Sequence, residues 1–156
     1  MMRQSVTAVI AALFAGLPVA AGAQKGDKIS DGVVKIGLIL DMSSLYSDIT
    51  GEGSVTAARM AIEDFGGKVL GAPIELVYAD HQNKADIAAN KAREWFDKDK
   101  VDALMDVAAS ATALAVVEVV RQKNKIAVFN GPGSTRLTNE ACSPTTESFR
   151  MSGKRP

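Results

Sequence analysis

The segment VVKIGLIL, residues 33–40, decides the fold class of this 156-residue chain. It is rich in β-branched residues and almost free of polar side chains, which is typical of a central strand buried on both faces. A second predicted strand, APIELVYAD at residues 72–80, alternates instead, with Ile74, Leu76 and Tyr78 on one face. The two strands therefore indicate a sheet whose first member lies in its interior.

Helical periodicity separates these strands. Apolar residues recur at helical spacing from Gly53 onward, and the Gly66-Gly67 pair ends that helix. The next predicted elements are an amphipathic helix (84–100), a strand (101–108), an almost wholly apolar helix (111–124), a strand (125–130) and a loop (131–138). Trp95 is interpreted as a core anchor of the amphipathic helix. The order β-α-β-α-β-α-β predicts an α/β fold, a three-layer doubly wound parallel sheet with helices on both faces.

Composition narrows the function classes. Hydrophobic residues make up 47% of the chain, so a packed core is expected. Lys plus Arg and Asp plus Glu are equal at 18 each. Because this balance gives no net attraction to polyanions, no nucleic-acid partner is predicted.

The first 23 residues read as a secretory signal peptide. A single arginine precedes the apolar run, and Ala21-Gly22-Ala23 offers small residues for cleavage. A retained membrane anchor is the alternative, but the apolar run is short for a bilayer span and contains Pro18. The mature chain should begin at Gln24 outside the cytoplasm, with a flexible segment over residues 24–32.

Cys142 is the only cysteine in the chain. Exported proteins usually pair their cysteines, because the compartment is oxidising. Two interpretations stay open: Cys142 is a small buried apolar residue, or its partner lies in sequence that this chain lacks.

Ligands of doubly wound sheets bind at the carboxyl ends of the strands, where loops and helix N-termini meet. Three of the four loops expected there are rich in Gly, Ser and Thr. Ser110 and Thr112 precede the third helix, where backbone N–H groups and the helix dipole favour a carboxylate or another small anion. The competing interpretation is that one of them simply caps the helix.

Gly51 and Gly53 are spaced like a nucleotide-binding turn, but ten residues separate Leu40 from Gly51. A dinucleotide fingerprint needs its glycines directly after the strand, so that site is excluded and no cofactor is predicted. The long loop instead carries Tyr46, whose ring is suited to covering the apolar part of a small ligand. The alternative is that Tyr46 tethers the loop.

Catalytic interpretations have less support. His81 is the only histidine, which excludes multi-histidine metal sites, so no metal is predicted. A secreted α/β hydrolase would have to use His81 with Asp80 and a serine from another loop, yet no G-x-S-x-G elbow is present. His81 is therefore interpreted as a loop or capping residue. Asp41 and Asp106 are interpreted as polar ends of strands, because an export signal argues against a receiver-domain pocket.

Three stretches together carry a family resemblance: VKIGLILDMSSLYSDITGEGSVTAARMAIEDF, LGAPIELVYADHQNKADIAANKAREWFDKDKVDALMDV and NKIAVFNGPGSTRLTNEACSP. Over residues 33–146 the chain resembles the N-terminal lobe of the type I periplasmic solute-binding proteins of ABC uptake systems. The branch it resembles is that of the leucine and branched-chain amino-acid binding proteins. The resemblance implies a flavodoxin-like strand order, a non-enzymatic role in the periplasm, a small amino-acid-like or amide solute, and the membrane subunits of an ABC permease as partners.

The resemblance also implies a ligand site. Its candidate residues are Tyr46 in the first loop, Ala109, Ser110 and Thr112 in the third, and Gly131, Pro132, Gly133 and Ser134 in the fourth. Relatives commonly carry a Ser-Ser or Asn-Ser run where this chain has VAASAT, so the choice of hydroxyl stays open.

The end of the chain departs from the resemblance. Relatives continue after a CSP motif like residues 142–144 into a second lobe, whereas residues 147–156 diverge. We expect residues 147–156 to form a disordered tail and the chain to be truncated or frame-shifted. The partner of Cys142 would then lie in the lost portion, and a single lobe should bind ligand weakly. A ligand-sensing regulatory domain of the same fold is a further alternative.

Overall fold

The computed structural model describes residue 29 and residues 31–148. The predicted signal peptide, most of the predicted flexible segment and residues 149–156 of the predicted tail lie outside these described residues. Within them, no helix is both long enough and apolar enough to cross a bilayer.

Strands and helices alternate along the described chain. In order, the elements are β1 (Val34–Leu40), α1 (Gly51–Asp64), β2 (Lys68–Val69), β3 (Ala72–Asp80), α2 (Ala85–Glu94), β4 (Ala103–Met105), α3 (Ser110–Lys123), β5 (Ile126–Phe129) and β6 (Thr146–Ser148). A π-helical turn (Trp95–Asp99) extends α2, and a 3₁₀ turn (Thr135–Thr138) lies between β5 and β6.

The strands form one sheet in the order β2-β3-β1-β4-β5-β6. All neighbouring pairs are parallel except β2 and β3. Strand β1 lies in the interior, where Ile36 is in register with Leu76 on one side and with Ala103 on the other. Counted along the chain, the five parallel strands have the order 2-1-3-4-5. The predicted flavodoxin-like strand order is confirmed.

Alternate residues of β1 face opposite layers of the fold. Leu38 and Leu40 pack with Val55 of α1 on one face. Ile39 belongs to the larger core, which is built with α2 and α3 on the other face. Because successive strand residues point to opposite faces, an apolar run such as β1 requires cover on both sides. The predicted three-layer architecture is confirmed.

Trp95 is a core anchor, as predicted. It is 6% exposed, and its ring lies over Gly37 in the centre of β1. A Cβ atom at Gly37 would lie 2.6 Å from Cζ3 of that ring. Glycine at this position therefore makes room for the indole on the α2 and α3 face of the sheet.

The hairpin formed by β2 and β3 was not predicted. Its two turn residues, Leu70 and Gly71, both have positive φ, at 50° and 86°. This is the type I′ geometry, whose twist matches that of paired antiparallel strands. Strand β2 is only two residues long, so it shows no periodicity that a sequence pattern could detect.

Two further predictions differ from the structure. The strand expected over residues 101–108 is limited to β4, because Asp106 has a φ of 53° that ends the extended backbone. The expectation of no structure from residue 147 onward is wrong for residues 147 and 148. They belong to β6, which pairs with the edge of β5. That pairing is set by the free edge of a neighbouring strand and not by local pattern.

The α1 face of the sheet is less fully covered than the other face. Crossover connections between parallel strands are right-handed, so connections that move across the sheet in the same direction lie on the same face. Only the connection from β1 to β3, which contains α1, moves in the opposite direction to the others. Met105 and Ile126 are consequently 38% and 57% exposed on the α1 side. An apolar groove of about 350 Å³ lies between α1 and the sheet.

Candidate functional site

The candidate site lies at the carboxyl ends of β1, β3, β4 and β5. Parallel strands bring these ends to one edge, so four loops meet there although they are far apart in sequence. The backbone N–H of His81 donates to the Leu40 carbonyl at 2.7 Å and joins the first two loops. The N–H of Asp106 donates to the Val128 carbonyl at 3.0 Å and joins the end of β4 to β5.

The first loop, residues 41–50, is folded around the carboxylate of Asp41. Oδ1 accepts from the Ser44 backbone N–H at 2.9 Å, and Oδ2 accepts from the Tyr46 N–H at 2.9 Å and the Ser44 hydroxyl at 2.6 Å. Burial of Asp41 opposes its ionisation, but these hydrogen bonds outweigh it and hold the pKa below its ordinary value of 3.8. The carboxylate is therefore a charged hydrogen-bond acceptor at the centre of this loop.

Asp80 ties the first loop to the second. Its carboxylate accepts from the Met42 backbone N–H at 3.0 Å, from the Ser43 hydroxyl and from the Gln82 N–H at 2.8 Å. Partial burial works against ionisation here too, yet the hydrogen bonds lower the pKa below 3.8. Two carboxylates thus fix the backbone where β1 and β3 end.

His81 directly follows Asp80 and is fully buried. Its Nδ1 accepts from the Asn83 N–H at 2.9 Å, while Nε2 has no hydrogen-bond partner in the described part of the chain. Burial lowers the pKa of His81 below 6.5, against the pull of Asp41 and Asp80 in the opposite direction. The imidazole is neutral at pH 7 and supports the second loop, in agreement with the predicted loop role.

The third and fourth loops touch through glycine. A Cβ atom on Gly131 would lie 2.9 Å from Cα and 3.2 Å from the carbonyl oxygen of Ala108. Only a residue without a side chain allows this approach, which brings Gly131 beside the start of α3. The structure thus brings the predicted third and fourth loops together.

The N-terminus of α3 carries no side-chain cap. The cap position belongs to Ala109, so the interpretation that Ser110 or Thr112 caps the helix is wrong. Thr112 is fully buried, and its hydroxyl donates to the Ala109 carbonyl at 2.7 Å. Ser110 is half-buried at the edge of the site. The first N–H groups of α3 can donate hydrogen bonds to an anion, since no side chain at the cap position accepts from them.

The remaining predicted residues lie at the same edge. Ser134 precedes the 3₁₀ turn, and its hydroxyl accepts from the Arg136 backbone N–H at 3.3 Å. Pro132 is buried and Gly133 is exposed. Tyr46 is half-buried in the first loop. The arrangement offers backbone donors at the start of α3 and, in the first loop, a half-buried aromatic ring.

Sequence reasoning missed the structural roles of Asp41 and Asp80. Both are followed at short spacing by the groups that they bind: Ser44 three residues after Asp41, and Gln82 two residues after Asp80. This is the local pattern of Asx-type turns, which could have been read from the sequence. Among residues 29 and 31–148, no group of His, Cys, Asp and Glu side chains is arranged to hold a metal ion.

A family of known proteins matches most of this chain. The profile of the family described as "Periplasmic binding protein" matches residues 33–154. No curated protein matches the chain significantly.

Three solved structures illustrate the similarity. A periplasmic binding protein from Burkholderia mallei is 56% identical over 74% of this chain and 31% of its own, with a TM-score of 0.72. A branched chain amino acid ABC transporter periplasmic ligand-binding protein from Burkholderia xenovorans is 44% identical over 73% and 32%, with a TM-score of 0.69. A solute binding protein of an ABC transporter from Rhodopseudomonas palustris is 26% identical over 75% and 31%, also with a TM-score of 0.69.

The chain spans about a third of the length of these proteins. The family match nevertheless covers most of the chain. The chain belongs to the periplasmic binding protein family.

Proposed function

We propose that this chain is the ligand-binding lobe of a periplasmic substrate-binding protein, which captures a small carboxylate-bearing solute for the permease of an ABC transporter. An amino-acid-like solute is the preferred class. The observation that carries the proposal is the start of α3, where Ala109 leaves the first N–H groups without a side-chain cap at the edge where the loops meet.

The chemistry of that edge favours a carboxylate. Unpaired N–H groups and the helix dipole both stabilise a negative charge, by about 0.3–1 kcal/mol for the dipole alone. Ser110 is the first residue of α3 and Gly131 lies against Ala108, so Ser110 and the segment 131–134 can add hydroxyl and backbone contacts. The half-buried Tyr46 is suited to cover an apolar group on the same solute.

The relatives support this class without deciding the solute. One is described as a branched chain amino acid ABC transporter periplasmic ligand-binding protein, and another is in complex with 3,4-dihydroxybenzoic acid. Branched-chain amino acids and 3,4-dihydroxybenzoic acid share a carboxylate beside an apolar group. An amide solute, which the sequence also left open, lacks the charge that the start of α3 favours.

The hydrolase alternative loses its only candidate base. Its mechanism would require His81 to take a proton from a serine or a water molecule. His81 is fully buried, and its Nδ1 already accepts the Asn83 N–H. We therefore favour binding over catalysis.

Matched ligand pairs test the proposal. L-leucine with L-leucinamide, and benzoate with benzamide, differ chiefly in the carboxylate. A ligand that binds only the native state at about 100 times its Kd raises stability by about 2.7 kcal/mol, which a thermal shift measures. We expect a shift with at least one of the acids and none with its amide. A shift with both members of a pair, or with no acid, would contradict the proposal.

A further inference from the structure

We propose that Asp41 is a positioning residue, whose carboxylate holds the first loop, residues 41–50, in the shape that presents Leu45, Tyr46 and Ile49 to the apolar part of the ligand. This inference rests on the proposed function, because it assigns that loop to the ligand. It adds a residue that does not touch the ligand and acts through the loop.

The loop has its polar group inside and apolar groups outside. Asp41 is fully buried and accepts three hydrogen bonds from within the loop, two from Ser44 and one from the Tyr46 N–H. Leu45 is 76% exposed and Ile49 is 79% exposed. Burial of these two aliphatic side chains against an apolar group of the ligand would be favourable.

Both ends of the loop are fixed independently of its apolar residues. At the start, Asp80 accepts from the Met42 N–H at 3.0 Å. At the end, Thr50 is 3% exposed, and its carbonyl accepts from the Ser54 N–H at 3.3 Å. Between these fixed points the loop also has local turn hydrogen bonds, such as Ser47 N–H to the Ser44 carbonyl, but Asp41 supplies the acceptors that join the start of the loop to Ser44 and Tyr46. Loss of one acceptor should therefore change the position of Tyr46 and leave the sheet intact.

Asparagine at position 41 is the discriminating change. The carboxylate offers an acceptor on each oxygen, Oδ1 for the Ser44 N–H and Oδ2 for the Tyr46 N–H. An amide has one acceptor oxygen, and its NH₂ group would face one of these N–H donors. Asp41→Asn therefore keeps the size of the side chain while removing at least one hydrogen bond. Asp48→Asn is the matched control, since Asp48 is an exposed residue of the same loop.

Amide hydrogen exchange tests the inference without any ligand. In Asp41→Asn we expect the Ser44 and Tyr46 amides to exchange at least about tenfold faster, as loss of a charge-assisted hydrogen bond implies. Asp48→Asn should change those rates by less than about twofold. Equal rates in the two variants would overturn the inference. If Asp41→Asn does not fold, Ser44→Ala replaces it, with an expected acceleration of about threefold at Tyr46.

A double-mutant cycle then tests action through Tyr46. The probe is L-leucine or benzoate, whichever binds the unaltered protein. Asp41→Asn should weaken binding about tenfold when Tyr46 is present and less than about threefold in the Tyr46→Ala background. An equal loss in both backgrounds would overturn the inference. If neither probe binds the unaltered protein, the proposed function fails, and the exchange rates alone decide whether Asp41 holds the loop.

Discussion

Replacing Gly131 with alanine should push apart the two loops that meet at the edge where we propose that an anion binds. The added Cβ would lie 2.9 Å from Cα of Ala108 and 3.2 Å from its carbonyl oxygen, and both atoms belong to the backbone. A flexible side chain could rotate away, but backbone cannot, so one loop must shift. Overpacking of this kind costs about 1–3 kcal/mol of folding free energy.

Gly133→Ala is the matched control for this prediction. Gly133 lies in the same loop, has no positive φ, and an added Cβ would meet no atom within 4 Å. Both alanine variants gain about 0.4–1 kcal/mol, because alanine restricts the unfolded chain. The difference between them therefore isolates the steric overlap at Gly131.

Urea denaturation at constant pH measures that difference directly. We expect Gly131→Ala to be less stable than Gly133→Ala by about 1–3 kcal/mol. Ligand affinity, measured with whichever acid binds the unaltered protein, should also fall by about tenfold or more in Gly131→Ala, because a displacement of about 1 Å misplaces the donors at the start of α3. Equal stability of the two variants would refute the close approach of the loops, and weaker folding with unchanged affinity would refute its link to binding.

The remaining predictions concern the core, the pH dependence and the hydroxyl groups. Gly37→Ala places a Cβ 2.6 Å from the Trp95 ring and should lower stability by about 1–3 kcal/mol in urea denaturation. Burial keeps the pKa of His81 in the folded chain below its ordinary value of 6.5. Between the folded and the unfolded pKa the unfolded chain binds more protons, so the free energy of unfolding should fall as the pH drops from 6.5 towards the folded pKa. His81→Asn should abolish this fall, which denaturation at about pH 7.5 and about pH 5.5 would reveal; an unchanged fall would assign it to another group. Ser110→Ala should weaken ligand binding about tenfold. Thr112→Val should instead lower stability by about 1 kcal/mol, because it loses the hydrogen bond to the Ala109 carbonyl. Weaker binding in Thr112→Val and unchanged binding in Ser110→Ala would make Thr112 the ligand contact.

The sheet could be predicted because its strands and helices have strong local patterns. The run Val33–Leu40 and the alternation in Ala72–Asp80 agree with β1 and β3 within one residue. The two-residue β2 and three-residue β6 are too short to show a period, so their pairing with neighbouring strands could not be predicted.

The candidate site was predictable in position but not in detail. The rule that ligands bind at the carboxyl ends of parallel strands placed the four loops correctly at one edge. The cap of α3 at Ala109 and the burial of Thr112 could not be predicted, because they depend on how α3 packs against α2 and the sheet.

The sequence by itself determined the order of the strands and helices other than β2 and β6, the interior position of β1 and the edge of the sheet at which the four loops meet, because apolar periodicity is a local property of the chain. Only the tertiary structure decided which groups meet at that edge. Gly131 reaches Ala108, and Asp80 reaches Met42 across 38 residues of sequence. Such contacts depend on strand register and on the space left between side chains, which short-range patterns do not specify.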